Sequence, residues 1–534
     1  MSHRQTIIQL GKAVSREIRR GELSEDTLIA GPMLASAGAT AELVDCLFTE
    51  ARRKRPNDQM LDAYVHLLRG ALDALRLDVS GGSPQARQGL EAVRTEVAKG
   101  LDHGGIPAAV LMLVGRAFAG AQLDPGQLLQ AAVMNAIQAE GVRGDYATGP
   151  GAGGMDHLRD IAKKFDNDPF AIHADLAASG AAFPAEHRLA IIAALASSAI
   201  PAIRESALGF VLDPDADIAA AVLAELTRPG SGQPVSSVAV ERLVRMRPWL
   251  PEDRRPSLDA AIRALRPKAT APQPAVRPEI RAVLASLCDG VGAQSLFTLV
   301  KRGRHLAIAS VMVKEGVGVA DAWVRDGMTK AESDNFIEQI DRAVDPVNVS
   351  IGFVERRVAD ALAVNAARNA PPPFGLLQVM ETLGLGTLQP QAVSAAELIG
   401  EVLADVPAAR TDAQAVVTAR RASARWTDIF DTLSSWFEAG EEVEALLRQL
   451  KSRRARIDAM LTTYLPAHRM IWATRCAWTA ALFKEDPDAK DQNWIDFALV
   501  ARDFAGDQNL TALPIAKQIA ETSVNAFESQ SQPR

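Results

Sequence analysis

Between Glu441 and Tyr464 the apolar residues Val443, Leu446, Leu447, Leu450, Ile457, Met460, Leu461 and Tyr464 recur mostly at three- and four-residue steps. That period puts them on one stripe of a helix whose other side faces water. Acidic residues open the segment (Glu441, Glu442, Glu444) and basic ones follow (Lys451, Arg453, Arg454, Arg456), the order that the helix dipole favours. Helical spacing fills most of the chain, with breaks at Gly31-Pro32, Gly81-Gly-Ser-Pro84, Gly104-Gly105 and Gly149-Pro-Gly-Ala-Gly-Gly154. From Pro184 the breaks come at Pro201, Pro214, Pro229, Pro248, Pro251 and Pro267, which leaves helices of roughly ten to fourteen residues. Helices this short are unstable alone, so each must lean its apolar face on the next, and stacked helical hairpins are predicted.

The stretch Arg266-Pro-Lys-Ala-Thr-Ala-Pro-Gln-Pro-Ala-Val-Arg-Pro278 is too proline-rich for helix and reads as an extended connector. It divides the chain into a helical array, residues 1–265, a linker, 266–278, and a C-terminal helical domain, 279–534, with a sub-boundary at Pro371-Pro-Pro373. Composition points the same way. Aromatic residues make up only 5% of the 534 residues, and small or straight side chains dominate, a mixture that suits packed helices better than pleated sheet. The predicted fold class is therefore all-α and multi-lobed, with almost no strand.

At Leu212-Asp-Pro-Asp-Ala-Asp-Ile-Ala-Ala-Ala-Val-Leu-Ala-Glu-Leu226, Asp213 and Asp215 flank a proline turn before a helix of Val and Ala. In this the stretch 185–265 resembles the HEAT-repeat family, with Ala219 where those repeats commonly place an Arg. The resemblance implies an α-solenoid and a surface for holding other proteins, with no catalytic residues.

A formal charge of −7 argues against attraction of the whole surface to nucleic acid or anionic lipid. Local basic clusters stand at residues 52–55, 301–304, 420–425 and 453–456, and these could track phosphates if they shared a face. Cys46, Cys288 and Cys476 are far apart and lack CxxC spacing, so neither a disulfide framework nor a thiolate zinc site is expected. The first residues lack the apolar core of a signal peptide and no segment is long and apolar enough to span a bilayer. A cytoplasmic location is expected.

The densest group of potential metal or acid–base side chains is Asp156, His157, Asp160, Asp166, Asp168, His173 and Asp175. Of these His157, Asp160, Asp166, Asp168 and His173 are the metal candidates, set against the reading of Asp168 as a helix cap. The glycines at 149–154 lack the Gly-Lys-Ser/Thr of a phosphate loop and read as a surface loop. No cofactor motif is present. Six of seven tryptophans follow the linker, most suited to a core, although Trp436 before Ala439-Gly440 can equally anchor an interface. The expected role is a protein-binding scaffold or adaptor, contacting its partner through Asp213, Asp215, Arg453, Arg454, Arg456 and Trp436. The rival readings are a nucleic-acid-binding solenoid and a metal-dependent enzyme with a site in 156–175.

Overall fold

The computed structural model of the chain describes residues 3–20, 24, 27, 30–80, 83–139, 152–228, 235–269, 278–344, 346–486 and 493–531. They fall into two compact units, one of Met1–Val211 with Asp217–Ser231 and one of Leu212–Ala216 with Gly232–Arg534.

The first unit is helical throughout its described residues. The helices His3–Arg20, Ala37–Ala51, Asp58–Ser80, Pro84–Asp102, Ala108–Gly120 and Gln127–Ala139 surround a core of Leu43, Leu47, Leu67, Leu68, Val93, Val114, Phe118 and Val133. Backbones approach closely there: a Cβ on Gly31 would lie 2.8 Å from the Cα of Gly70. Beyond Pro184 the train of short helices is present as Ala185–Ala196, Pro201–Ser206, Ala216–Thr227, Ser237–Met246 and Arg255–Leu265. The last two pack in the second unit. Arg242 forms a fork of 2.8 and 2.9 Å bonds with Glu381, and the Trp249 indole donates to the Leu388 carbonyl at 3.0 Å. The division between units thus comes before the proline-rich stretch, whose residues 270–277 lie outside the described ones.

The second unit corrects the all-α expectation. Residues 279–348 contain a five-stranded antiparallel sheet, so the fold is mixed α/β. Its strands are β1 (Glu279–Ala285), β2 (Ala293–Arg302), β3 (His305–Lys314), β4 (Gly318–Met328) and β5 (Val347–Asn348), in the order β4-β3-β2-β1-β5. The signal was a period of two. Gln294, Leu296, Thr298 and Val300 of β2 are buried, while the residues between them are half-buried. Alanines at 307 and 309 obscured it, because they have low strand propensity but lie in the buried middle of β3, an interior strand.

Four helices frame the sheet: α1 (Lys330–Val344), α2 (Ile351–Ala367), α3 (Gly375–Leu383) and α4 (Leu465–Glu485). α2 and α3 pack on β3 and β4. The approach of α3 requires a residue without a side chain, since a Cβ on Gly375 would stand 1.9 Å from the Ala322 carbonyl oxygen. α1 sets Phe336 edge-on to Trp323, ring centroids 6.1 Å apart. The predicted helix over 441–464 is interrupted: Glu441–Arg448 ends, Ser452 caps Arg453–Ala459, and a π-helical turn at Met460–Tyr464 leads into α4. Arg456 takes the Leu447 and Leu450 carbonyls at 3.3 and 3.2 Å, which stabilises that break.

Candidate anion-binding site

β2 and β3 are joined by the two residues Gly303 and Arg304, and Gly303 has φ +63. A positive φ at the first position of a two-residue turn matches the right-handed twist of a hairpin and is open to glycine. The register then sets Lys301 opposite Leu306, and Leu306 opposite Met328 of β4. Alternation puts Leu299 on the same face as Lys301. The chain leaves β4 directly into α1 through Thr329. Its amide and hydroxyl donate to Glu332 at 2.8 and 2.7 Å, and its hydroxyl accepts from the Glu332 amide at 3.3 Å, a capping box.

These elements enclose a cavity of about 660 Å³ lined by Arg281, Leu299, Lys301, Arg304, His305, Leu306, Met328, Thr329, Lys330, Ser333 and Asp334. Its wall is aliphatic at Leu299, Leu306 and Met328. Its rim is cationic at the exposed Arg281, Arg304 and Lys330, with the exposed His305 beside them. Asp334 is 3.0 Å from Lys330, and Arg281 pairs with Glu279 at 2.8 Å outside the lining. Among the described residues neither Lys301 nor Arg304 has a carboxylate partner; Arg304 donates only to the His305 ring at 3.3 Å. Ser333 is fully buried, and its hydroxyl makes no hydrogen bond. A buried polar group without a partner costs about 1–3 kcal/mol. The N-terminal end of α1 adds the positive end of a helix dipole to the same wall.

The predicted metal candidates do not assemble in this way. Asp160 is exposed in the helix Ala152–Lys164, Asp166 is exposed on a left-handed turn with φ +49, and Asp168 caps Pro169–Gly180 through the Phe170 amide at 2.9 Å. The side chain of His157 lies outside the described residues, as do glycines 149 and 151. Asp175 pairs with Arg116 at 2.7 Å. Among the described residues no three His, Cys, Asp or Glu side chains converge as a metal set.

His173 is instead packed against Phe210, ring centroids 4.5 Å apart, with Nδ1 3.1 Å from the Ser206 carbonyl. Burial pushes its pKa down to about 4, and the bond to Ser206 only partly opposes this. The unfolded chain takes up that proton near 6.5 and the folded chain near 4, so stability falls as pH drops through this window. We expect His173→Gln to flatten the loss between pH 6.5 and 4 by about 2 kcal/mol, read from urea midpoints at each pH. An unchanged slope would show that His173 is not the group titrating there.

The proposed partner contacts are largely occupied within the chain. Asp213 accepts from the Asp215 amide at 2.9 Å, and Arg254 donates to the carbonyls of Asp213 and Pro214, which holds that turn. Arg453 and Arg456 share Glu528 at 3.0 and 2.8 Å, and Arg456 also lies over the Phe527 ring. Arg454 is exposed. Trp436 is buried and donates to the Cys288 carbonyl at 2.9 Å, so it is a core residue and not an exposed anchor. The basic clusters differ: Arg52 donates to the Gly104 and Gly100 carbonyls and Arg420 forks onto Asp503, whereas Lys301 and Arg304 line the cavity. The three thiols are buried, which raises Cys46 to about 11 and Cys288 to about 12. Arg281, Lys330 and Ser333 were missed from sequence; the available signal was Thr329-Lys-Ala-Glu332 after an Arg-Gly-Arg-His hairpin.

Two stretches of the chain are similar to known families. Residues 184–269 match the model described as the Y4lR second domain, and residues 396–528 match the Y4lR C-terminal helical domain. A curated relative, titled uncharacterized protein y4lR, of Sinorhizobium fredii (strain NBRC 101917 / NGR234), is 27% identical over 251 residues. That alignment covers 47% of this chain and 47% of the relative, so the match spans less than half of the relative's length. No solved structure matches the chain. The sheet and its cavity, at 279–348, lie between the two matched stretches.

Proposed function

We propose that this chain is a binding scaffold whose ligand site is the cavity between the β2–β3 hairpin and α1, and that the group it takes is anionic. The observation that carries this is the convergence of Arg281, Lys301, Arg304 and Lys330 on one cavity with a single lining carboxylate, in a chain whose formal charge is −7. Cations gathered this way from three separate elements repel one another. A bound anion relieves that repulsion.

Weighing against a nucleic-acid track is the internal use of Arg52, Arg420, Arg453 and Arg456 on carbonyls and carboxylates. Phosphate tracking needs such cations unpaired along a continuous stripe.

Inorganic phosphate at millimolar concentration should raise the melting temperature of the full chain at low salt, and the gain should shrink with added NaCl. Lys301→Gln/Arg304→Gln should remove most of the gain while leaving the ligand-free melt within a few degrees, because Arg304 is exposed, Lys301 is only half-buried, and glutamine sets no like charge opposite Glu279. A phosphate response undiminished in the double variant would place the anion elsewhere.

A further inference from the structure

The lining of the cavity says more about the ligand than its charge. This deeper step rests on the anion-binding reading above. At about 660 Å³ the space falls in the range that holds a small organic molecule. A lone inorganic anion would leave most of it as water against aliphatic wall. That wall is Leu299, Leu306 and Met328; Leu299 and Leu306 are half-buried and Met328 is buried. His305 is the only ring in the lining, and it is exposed at the rim and engaged by Arg304. A purine or pyrimidine finds no aromatic platform here of the kind that nucleobase recognition uses. An aliphatic chain, by contrast, fits a wall of leucine and methionine, and methionine adapts to an unbranched tail.

The polar end is equally defined. Two cations without carboxylate partners, Lys301 and Arg304, match a group of about two negative charges, which a phosphate monoester carries near neutral pH. Its several oxygens can accept from both cations at once.

We infer that the cavity takes an aliphatic phosphate monoester, with its chain against Leu299, Leu306 and Met328 and its phosphate between Lys301 and Arg304. The shared chemistry is an alkyl phosphate headgroup, whether it comes from a lipid or from a phosphorylated metabolite with a hydrocarbon chain.

The test is calorimetric titration of the full chain with four probes: decyl phosphate below its micelle concentration, inorganic phosphate, 1-decanol and adenosine 5′-monophosphate. Decyl phosphate should bind at least tenfold more tightly than each of the other three. Lys301→Gln/Arg304→Gln should weaken it tenfold or more. Adenosine monophosphate or inorganic phosphate binding as tightly as decyl phosphate would sink the aliphatic ligand and leave the anion site standing. Decanol binding as tightly would sink the role of the headgroup. Absence of binding by every anion would sink both readings, and because these comparisons use the unaltered chain, none depends on a variant folding.

Discussion

Arg475→Ala should cost about 1.5–3 kcal/mol of stability, the expected result of removing buried hydrogen bonds to a charged group whose remaining partner, Glu315, is 25% exposed. Arg475 projects from α4 with its side chain only 7% exposed and meets Glu315, in the β3–β4 turn, at 2.8 to 3.0 Å through two nitrogens. Its remaining donor reaches the Gly290 carbonyl at 3.2 Å, and its guanidinium stacks 4.5 Å from the centroid of Trp472. One side chain therefore ties a C-terminal helix to two loops at the same end of the sheet. Glu315→Gln should cost less, since an amide still accepts a bond from the guanidinium. Arg475→Met/Glu315→Leu should recover most of the loss because it removes both charges together. All seven tryptophans belong to the second unit, so the urea midpoint of their fluorescence reports this region. A loss below 1 kcal/mol for Arg475→Ala would mean that water replaces the arginine without penalty.

Asn365→Ala is the second large effect, about 3 kcal/mol. Asn365 of α2 is 4% exposed and uses its whole amide: Oδ1 accepts from the Val319 amide at 2.8 Å, and Nδ2 donates to the carbonyls of Val317 and Ala370 at 3.2 and 3.0 Å. Truncation strands three backbone groups, each worth about 1–3 kcal/mol if water cannot reach it. Gly318 is at φ +95, and a Cβ there would stand 2.4 Å from the asparagine oxygen, so the turn and the side chain are fitted to one another. Asn365→Asp should be at least as damaging near neutral pH, since a carboxylate would face two carbonyl oxygens. Hydrogen exchange at the Val319 amide should accelerate in both variants. Protection equal to the parent would show that the strand holds its start without this side chain.

Both predictions concern groups whose importance does not show in the sequence. Arg475 looks like any arginine on a helix until Glu315, 160 residues away in the chain, is placed beside it. The basic residues in sequence clusters behaved the same way. Arg453 and Arg456 read as a contact surface, yet Glu528 occupies both. Arg304 reads like them but faces a cavity. A guanidinium takes whichever acceptors the fold brings near, and the sequence does not list its neighbours.

The strands were hidden for a related reason. Ala307, Ala309 and Ala322 read as helix formers, but they are buried in the sheet, and at Ala322 α3 comes so close that glycine is needed on the helix side. Strand propensity largely measures packing on neighbours, so it fails where tight packing selects small residues.

Local chemistry by itself determined the helices, their proline and glycine breaks and caps such as Asp168, because each depends on backbone dihedrals and on bonds within a few residues. Tertiary structure alone decided which charges remain unpaired, where small residues form sheet, and that Lys301, Arg304, Lys330 and Ser333 line one cavity. Those outcomes depend on contacts between distant residues, and the free energy of a charge or a buried hydroxyl is set by what surrounds it.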